Sequence, residues 1–162
     1  MPKKPDKKRL RISLKREPAM EVNRIAIRNH KLVYVICANK KILYPSGRSP
    51  VVYIGTTKNG ISRVAESAAY NSNDILGWHG VNSLQVRIVT CGVRQRVRTW
   101  HKLERALLPM FKDQYGSVPW CNTAGKNFVE TNEFDFFARK RVRDILDNLA
   151  EAGVAPSHVI SD

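Results

Sequence analysis

Residues 51–63 read Val51-Val52-Tyr53-Ile54-Gly55-Thr56-Thr57-Lys58-Asn59-Gly60-Ile61-Ser62-Arg63. The first five are β-branched, aromatic or apolar and end at a glycine, which predicts a strand over 51–55 that runs into a close turn. Good helix formers follow over residues 61–70, with Asn59 or Ser62 placed as an N-terminal cap. The stretch therefore predicts a strand, a glycine turn and a short helix.

A second strand is predicted upstream over residues 32–38, which are apolar and β-branched throughout. The segment 39–41 begins a turn-rich connection, and residues 44–50 have the proline, glycine and serine content of a loop. We expect the two strands to pair antiparallel as a hairpin with this long connector.

The remainder predicts one more strand and two more helices. Residues 84–89 alternate and then become apolar, as in a third strand. A helix is expected over 98–114, with one apolar face formed by Trp100, Leu103, Leu107, Met110 and Phe111. A last helix is expected over 132–153, with Asn132 and Asp135 as its cap and Gly153 as its stop. The expected fold class is α+β, with a small three-stranded mixed or antiparallel sheet flanked by helices.

The net charge of the chain indicates which kind of partner it binds. The chain has 28 Lys and Arg against 14 Asp and Glu, a formal charge of +14 on 162 residues. Such a surplus favours a polyanion. Because no long basic amphipathic segment is present, we expect nucleic acid (DNA, with RNA possible) rather than a membrane surface. Three widely spaced cysteines indicate neither disulfides nor zinc, and without an apolar export or spanning segment we expect a cytoplasmic protein.

Three segments are expected along the chain: a basic tail over 1–28, a folded domain with its C-terminal helix over 29–153 and a short tail over 154–162. The basic tail contains ten Lys and Arg and three acidic residues. Leu10, Ile12 and Leu14 alternate with polar residues, which suits a short edge strand. The tail is either an arm along phosphates or a solubility extension.

Four sequence elements between residues 32 and 127 resemble the GIY-YIG nuclease superfamily. Val33-Tyr34-Val35 stands where the name motif has Gly-Ile-Tyr, and Tyr53-Ile54-Gly55 keeps the second half intact. Arg63 follows ten residues after Tyr53. Further on come the segments Leu103-Glu104-Arg-Ala-Leu-Leu-Pro and Pro119-Trp-Cys-Asn122, which are similar to the family's glutamate helix and its late Pro-x-x-Asn element.

The resemblance implies a metal-dependent endonuclease that hydrolyses DNA to 5′-phosphate and 3′-hydroxyl ends. Glu104 would hold Mg²⁺ or Mn²⁺, since one carboxylate with phosphate oxygens suffices for such a cation. Arg63 would clamp the scissile phosphate, and Asn122 would brace the site. Of Tyr34 and Tyr53, one would contact or activate the water and the other support the phosphate. A phenol needs a nearby cation to lower its pKa for that role.

The chain also departs from the family. Many relatives have His, Tyr or Lys where this chain has Ser67, and some have lysine where it has Thr56. Either the tyrosines and metal suffice, or a replacement comes from Lys58, Tyr70, His79 or His101. The alternative is a non-catalytic nucleic-acid-binding protein with a degenerate fold of this type.

A basic run, Arg94-Gln-Arg96-Val-Arg98, precedes the glutamate helix and is joined by Lys102 and Arg105. Alternation would put its arginines on one side, for phosphate contacts, although a solvated loop is the simpler alternative. With Lys58 they form the expected nucleic-acid contacts. Target recognition would come from the loop at Trp78 and His79, the 39–50 connector, the tail or a homodimer partner.

Overall fold

The computed structural model describes residues 11–17 and 27–152. Its elements are, in order, β1 (Leu32–Tyr44), β2 (Gly47–Thr57), α1 (Ile61–Ile75), β3 (Leu84–Val89), α2 (Thr99–Tyr115), a 3-10 turn (Glu133–Asp135) and α3 (Arg139–Ala152). The three strands form one antiparallel sheet in the order β2-β1-β3. The α+β class is confirmed.

The hairpin between β1 and β2 is tighter than the sequence predicts. The expected loop over 44–50 is wrong: both strands continue to a two-residue turn, Pro45 and Ser46, where the Ser46 amide donates to the Tyr115 carbonyl at 2.9 Å. Tyr44 extends the strand because its buried ring packs on Phe111 and its hydroxyl donates to the Val51 carbonyl at 2.7 Å. The polar residues at 39–41, expected in a turn, are accommodated by a register irregularity within β1.

Both faces of the sheet are covered. One face packs on α2 and α3 through Val33, Val35 and Ile54, and the other packs on α1 through Leu32 and Tyr34. Burial on both sides explains why β1 is apolar without alternation. The five apolar residues expected on one face of α2 are all buried, so that prediction is confirmed.

The predicted N-terminal caps of α1 and α3 are wrong. Helix α1 has neither Asn59 nor Ser62 as cap: its N-cap is Gly60, at φ 68°, a conformation that favours glycine. Helix α3 begins at Arg139 rather than at Asn132, which makes no side-chain cap hydrogen bond. The buried Glu133 fixes the preceding segment as a separate turn. The expected stop, Gly153, lies outside the described residues.

The expected edge strand near the N-terminus is not formed by residues 11–17, which lack regular structure. Ile12 and Leu14 are 94% and 96% exposed, and Leu10 lies outside the described part of the chain. Because no described strand pairs with this segment, its alternating apolar side chains are not buried. Among the described residues, no helix has the length and apolar character needed to cross a membrane.

Candidate active site

The two motif tyrosines lie side by side on the face of the sheet that packs on α1. Tyr34 pairs with Gly55 across the strands, and the ring centroids of Tyr34 and Tyr53 are 5.7 Å apart. A Cβ at Gly55 would lie 2.5 Å from Cε1 of Tyr53 and 2.9 Å from Cζ of Tyr34. Gly55 is therefore required by the close approach of both rings. The turn conformation that the sequence assigned to it belongs to Gly60 instead.

Helix α1 brings Ser67 to the tyrosine pair. Ser67 is buried on this helix and hydrogen-bonds with the phenol of Tyr53. Arg63 lies one helical turn earlier on the same side. Its side chain is 54% exposed and pairs with Glu66 at 3.1 Å. Because exposed ion pairs of this kind contribute about 0–1 kcal/mol, the guanidinium can exchange Glu66 for a phosphate at little cost.

Glu104 projects from α2 at the edge of its apolar face. The side chain is 18% exposed, and its Oε2 lies 3.8 Å from Nδ1 of His101. Burial raises the pKa of Glu104 to about 7, while the charge of Arg105 acts in the opposite direction. Burial also lowers the pKa of His101, with Arg98 contributing, so neutral His101 does not compensate the carboxylate. Glu104 is thus a largely buried carboxylate whose ionisation is unfavourable.

The Tyr53 phenol keeps its proton at neutral pH. Burial raises its pKa above the ordinary value, and hydrogen bonding to Tyr34 and the charge of Glu104 raise it further; Ser67 lowers it. The influence of Glu104 also shows that α2 brings its carboxylate within electrostatic range of Tyr53. The expectation that a nearby cation would depress a tyrosine pKa is not met by the protein alone for Tyr53.

Asn122 braces β2 through both ends of its side-chain amide. Its Oδ1 accepts the Ile54 amide at 2.9 Å, and its Nδ2 donates to the Ile54 carbonyl at 2.7 Å. The neighbouring Cys121 amide donates to the Val52 carbonyl at 3.0 Å. Since Ile54 lies between Tyr53 and Gly55, Asn122 positions the strand that carries them.

The possible ligand at this site, the Glu104 carboxylate, suits a hard cation that keeps part of its hydration shell. Among the described residues, no three His, Cys, Asp or Glu side chains are grouped to hold a metal by themselves. A cation at Glu104 would complete its shell with water and phosphate oxygens, which is the habit of Mg²⁺ rather than of structural zinc. It would also supply the positive charge that the buried carboxylate lacks. Glu104 therefore fits the predicted role.

The basic run does not have the expected alternation. Residues 94–97 form a tight turn closed by a bridge between Arg94 and Val97, and Arg96 has φ 59°. Arg94, Arg96 and Arg98 are exposed, as is Lys58 before α1, but a turn cannot align them as a strand would. Phosphate contacts by these residues remain a prediction.

Two basic residues of α2 are engaged within the protein. Lys102 donates to the side chain of Asn132 and lies 5.3 Å from the ring centroid of Phe136. Arg105 pairs with the buried Glu133 at 3.0 Å, so it holds the fold rather than facing phosphates. This pairing is not predictable from the sequence, since the partners are 28 positions apart.

The remaining candidates are divided. His101 contacts Glu104, while His79 lies in the exposed loop after α1, where its carbonyl accepts from Lys40 at 2.8 Å. Trp120 was not singled out, although it lies inside the Pro-x-x-Asn element and is 53% exposed. An exposed tryptophan between two motif residues is the signal that sequence reasoning overlooked.

In comparisons with protein-family models, curated proteins and solved structures, nothing matched the chain. The geometry of the residues described above is therefore what supports a functional interpretation.

Proposed function

We propose that this protein is a metal-dependent endonuclease of the GIY-YIG type that hydrolyses DNA to 5′-phosphate and 3′-hydroxyl ends. One observation carries the proposal: the ring centroids of Tyr34 and Tyr53 lie 5.7 Å apart, and Ser67 on α1 and Glu104 on α2 both act on the pKa of Tyr53. The strands that carry the two tyrosines are largely buried, with helices packed on both faces of the sheet. Titratable groups with shifted pKa values gathered in this way are typical of catalytic sites.

Arg63 is the candidate for charge stabilisation. Phosphodiester hydrolysis forms a bond from a water oxygen to phosphorus and breaks the bond to the 3′ oxygen, with negative charge growing on the nonbridging oxygens. A planar guanidinium binds those oxygens in a bidentate manner. Its present partner, Glu66, is 67% exposed and easily displaced.

Glu104 and Tyr53 have complementary roles in the proposal. Glu104 would hold Mg²⁺ or Mn²⁺, which when bound supplies Lewis-acid charge for the phosphate and lowers the pKa of water. Tyr53 is protonated at neutral pH because of its raised pKa. It therefore orients the water or an oxygen of the phosphate by a hydrogen bond and does not remove a proton itself. Ser67 holds the phenol in place.

The second candidate is a non-catalytic nucleic-acid-binding protein. Ser67 favours it, because a serine hydroxyl cannot replace the basic or phenolic side chain that many relatives carry there. The net charge of +14 supports both candidates equally. Cleavage, rather than binding, distinguishes the two.

The test incubates the protein with plasmid DNA and oligonucleotides in Mg²⁺, Mn²⁺ or a chelator. We expect metal-dependent cleavage that falls at least about 100-fold in Glu104→Gln, which keeps the shape and removes the charge. Arg63→Ala should lose a similar factor and should not recover at higher metal concentration.

Asp113→Asn is the matched control, because it removes an exposed carboxylate from the same helix as Glu104 and should leave the rate within about threefold. Cleavage by Glu104→Gln at the wild-type rate would exclude the metal assignment. No cleavage by the wild type under any metal, with binding intact, would favour the non-catalytic candidate.

A further inference from the structure

An open groove of about 550 Å³ lies beside the candidate active site. Three aromatic side chains line it, and we call it the aromatic groove: Tyr70, Trp78 and Trp120. Tyr70 is 82% exposed and Trp120 is 53% exposed. Large aromatic rings left open to water and gathered from three separate segments mark a binding surface.

Trp120 is held rigidly although it is exposed. Its ring stacks on Tyr44 with centroids 5.4 Å apart and an angle of 12° between the planes. Its indole Nε1 donates to the Leu43 carbonyl at 3.0 Å, and its amide donates to the Tyr44 hydroxyl at 3.3 Å. The orientation of the ring is therefore fixed before any ligand arrives, which reduces the entropy cost of stacking.

The groove and the candidate active site share helix α1. Tyr70 follows Arg63 by seven residues, so the two share one side of α1 about 10 Å apart along its axis. Cys121, in the opposite wall, bonds to β2 at Val52 and precedes the brace residue Asn122. A DNA strand with one phosphate bound at Arg63 would place its next nucleotides at the aromatic rings.

The charge of the groove excludes phosphates from it. Within the described chain, its lining includes Asp74 and contains neither Lys nor Arg. The carboxylate of Asp74 repels phosphate but accepts hydrogen bonds from the amino groups of bases. Uncharged ring faces with hydrogen-bonding groups beside them, among these the Asp74 carboxylate, match nucleobases. The positive charge elsewhere on the protein would bind the phosphates of the DNA backbone.

We propose that the aromatic groove stacks unpaired nucleobases next to the phosphate bound at Arg63. The substrate of the proposed nuclease would then be DNA with a single-stranded stretch at the position of cleavage. In a continuous duplex the base faces are already stacked on each other and are not available to side chains. This inference rests on the proposed function for the role of Arg63.

Tryptophan fluorescence in chelator tests the groove without cleavage. Trp78 and Trp120 lie in the groove, whereas Trp100 is only 8% exposed. We expect a single-stranded oligonucleotide to quench the emission and a blunt duplex of the same sequence to leave it nearly unchanged. Trp120→Phe should lose most of the quenching and keep most of the affinity, because phenylalanine also stacks.

Tyr70→Ala supplies the affinity measurement. Loss of one stacked base contact should weaken single-strand binding about 10-fold and leave duplex binding unchanged. Because Tyr70 is exposed, the substitution should not affect folding, which a thermal melt checks. Val93→Ala is the matched control, since Val93 is 84% exposed and lies in the connection between β3 and α2.

Equal quenching by duplex and single strand, or unchanged single-strand affinity in Tyr70→Ala, would overturn the inference. So would sedimentation showing that Tyr70→Ala converts a dimer to a monomer at unchanged affinity, because the groove would then join two copies of the chain. The cleavage test of Glu104→Gln is separate. The groove proposal can therefore be wrong while the proposed nuclease activity is correct. The nuclease proposal can likewise be wrong while the groove binds single strands.

Discussion

Glu104 on α2 and Glu133 in the 3-10 turn beside that helix lie in opposite surroundings. Glu133 is fully buried and pairs with Arg105 at 3.0 Å, while Thr131 donates its amide and its hydroxyl at 2.6 and 2.8 Å. The Glu104 side chain is 18% exposed, and its carboxylate lies 3.8 Å from the neutral His101. One glutamate is supplied with donors by the fold, and the other is not.

The pKa values of the two carboxyl groups record this difference. Burial acts to raise the pKa of Glu133, but the hydrogen bonds from Thr131 and Arg105 outweigh it and hold the pKa well below its ordinary value. Burial raises the pKa of Glu104 to about 7. A buried carboxylate without hydrogen-bond donors lowers the stability of the fold, which is typical of a residue that binds a ligand. A buried carboxylate whose hydrogen bonds are satisfied is typical of a residue that stabilises the fold.

The largest expected effect on stability is at Glu133. Glu133→Gln leaves the partly buried Arg105 without its counter-charge and should lower the free energy of unfolding by about 3 kcal/mol. Urea titration measures it. Glu130→Gln is the control, because it breaks an exposed pair with Arg139 and should cost less than about 1 kcal/mol. Equal losses in the two variants would remove the structural role assigned to Glu133.

Glu104→Gln should do the opposite and stabilise the protein. The folded pKa of about 7 lies above the reference value of 4.5, so the folded state binds more protons, and wild-type stability falls as pH rises through that window. The variant should therefore gain about 1–3 kcal/mol over the wild type between pH 5 and pH 8. Denaturant titrations at both pH values measure the difference.

Binding of Mg²⁺ tests the same contrast between Glu104 and Glu133. At pH 8, Mg²⁺ should raise the melting temperature of the wild type and leave that of Glu104→Gln unchanged, since the cation stabilises whichever state binds it. A pH-independent difference between the two proteins would show that Glu104 is ionised without cost, and the contrast with Glu133 would disappear.

The smallest effect is expected at an exposed cation. Arg96→Gly removes a charge from the turn and also the left-handed strain at φ 59°, so stability should hold. The dependence of DNA affinity on salt should weaken by about one counterion. Titrations at several salt concentrations measure it, and an unchanged slope would show that Arg96, like Arg105, contacts no phosphate.

What the sequence predicted well was local. β3 has the expected bounds, α2 begins and ends one residue later than expected, and the five apolar residues of its core face follow helical spacing. The pairing of Tyr34 with Gly55 follows from two strands that carry motif residues. The tightness of the hairpin was not predictable, because it depends on Tyr44 finding Phe111 and Val51 in the folded core.

The partners of charged residues were also beyond the sequence. Arg105 and Lys102 were grouped with the basic run by proximity in the chain, but Glu133 and Asn132 engage them from a segment about 30 residues away. The aromatic groove combines α1, the following loop and the segment before Asn122 in the same way. Spacing rules within one element cannot detect groups that only tertiary packing brings together.

The brace at Asn122 has a consequence for self-association. Its amide occupies the hydrogen-bonding groups of Ile54 on the outer side of β2, and Cys121 occupies the carbonyl of Val52. In the described sheet, β2 is an edge strand, and at Val52 and Ile54 it cannot pair with a strand from another molecule. Growth of the described sheet into a dimer at this point would have to proceed from β3, at the opposite edge.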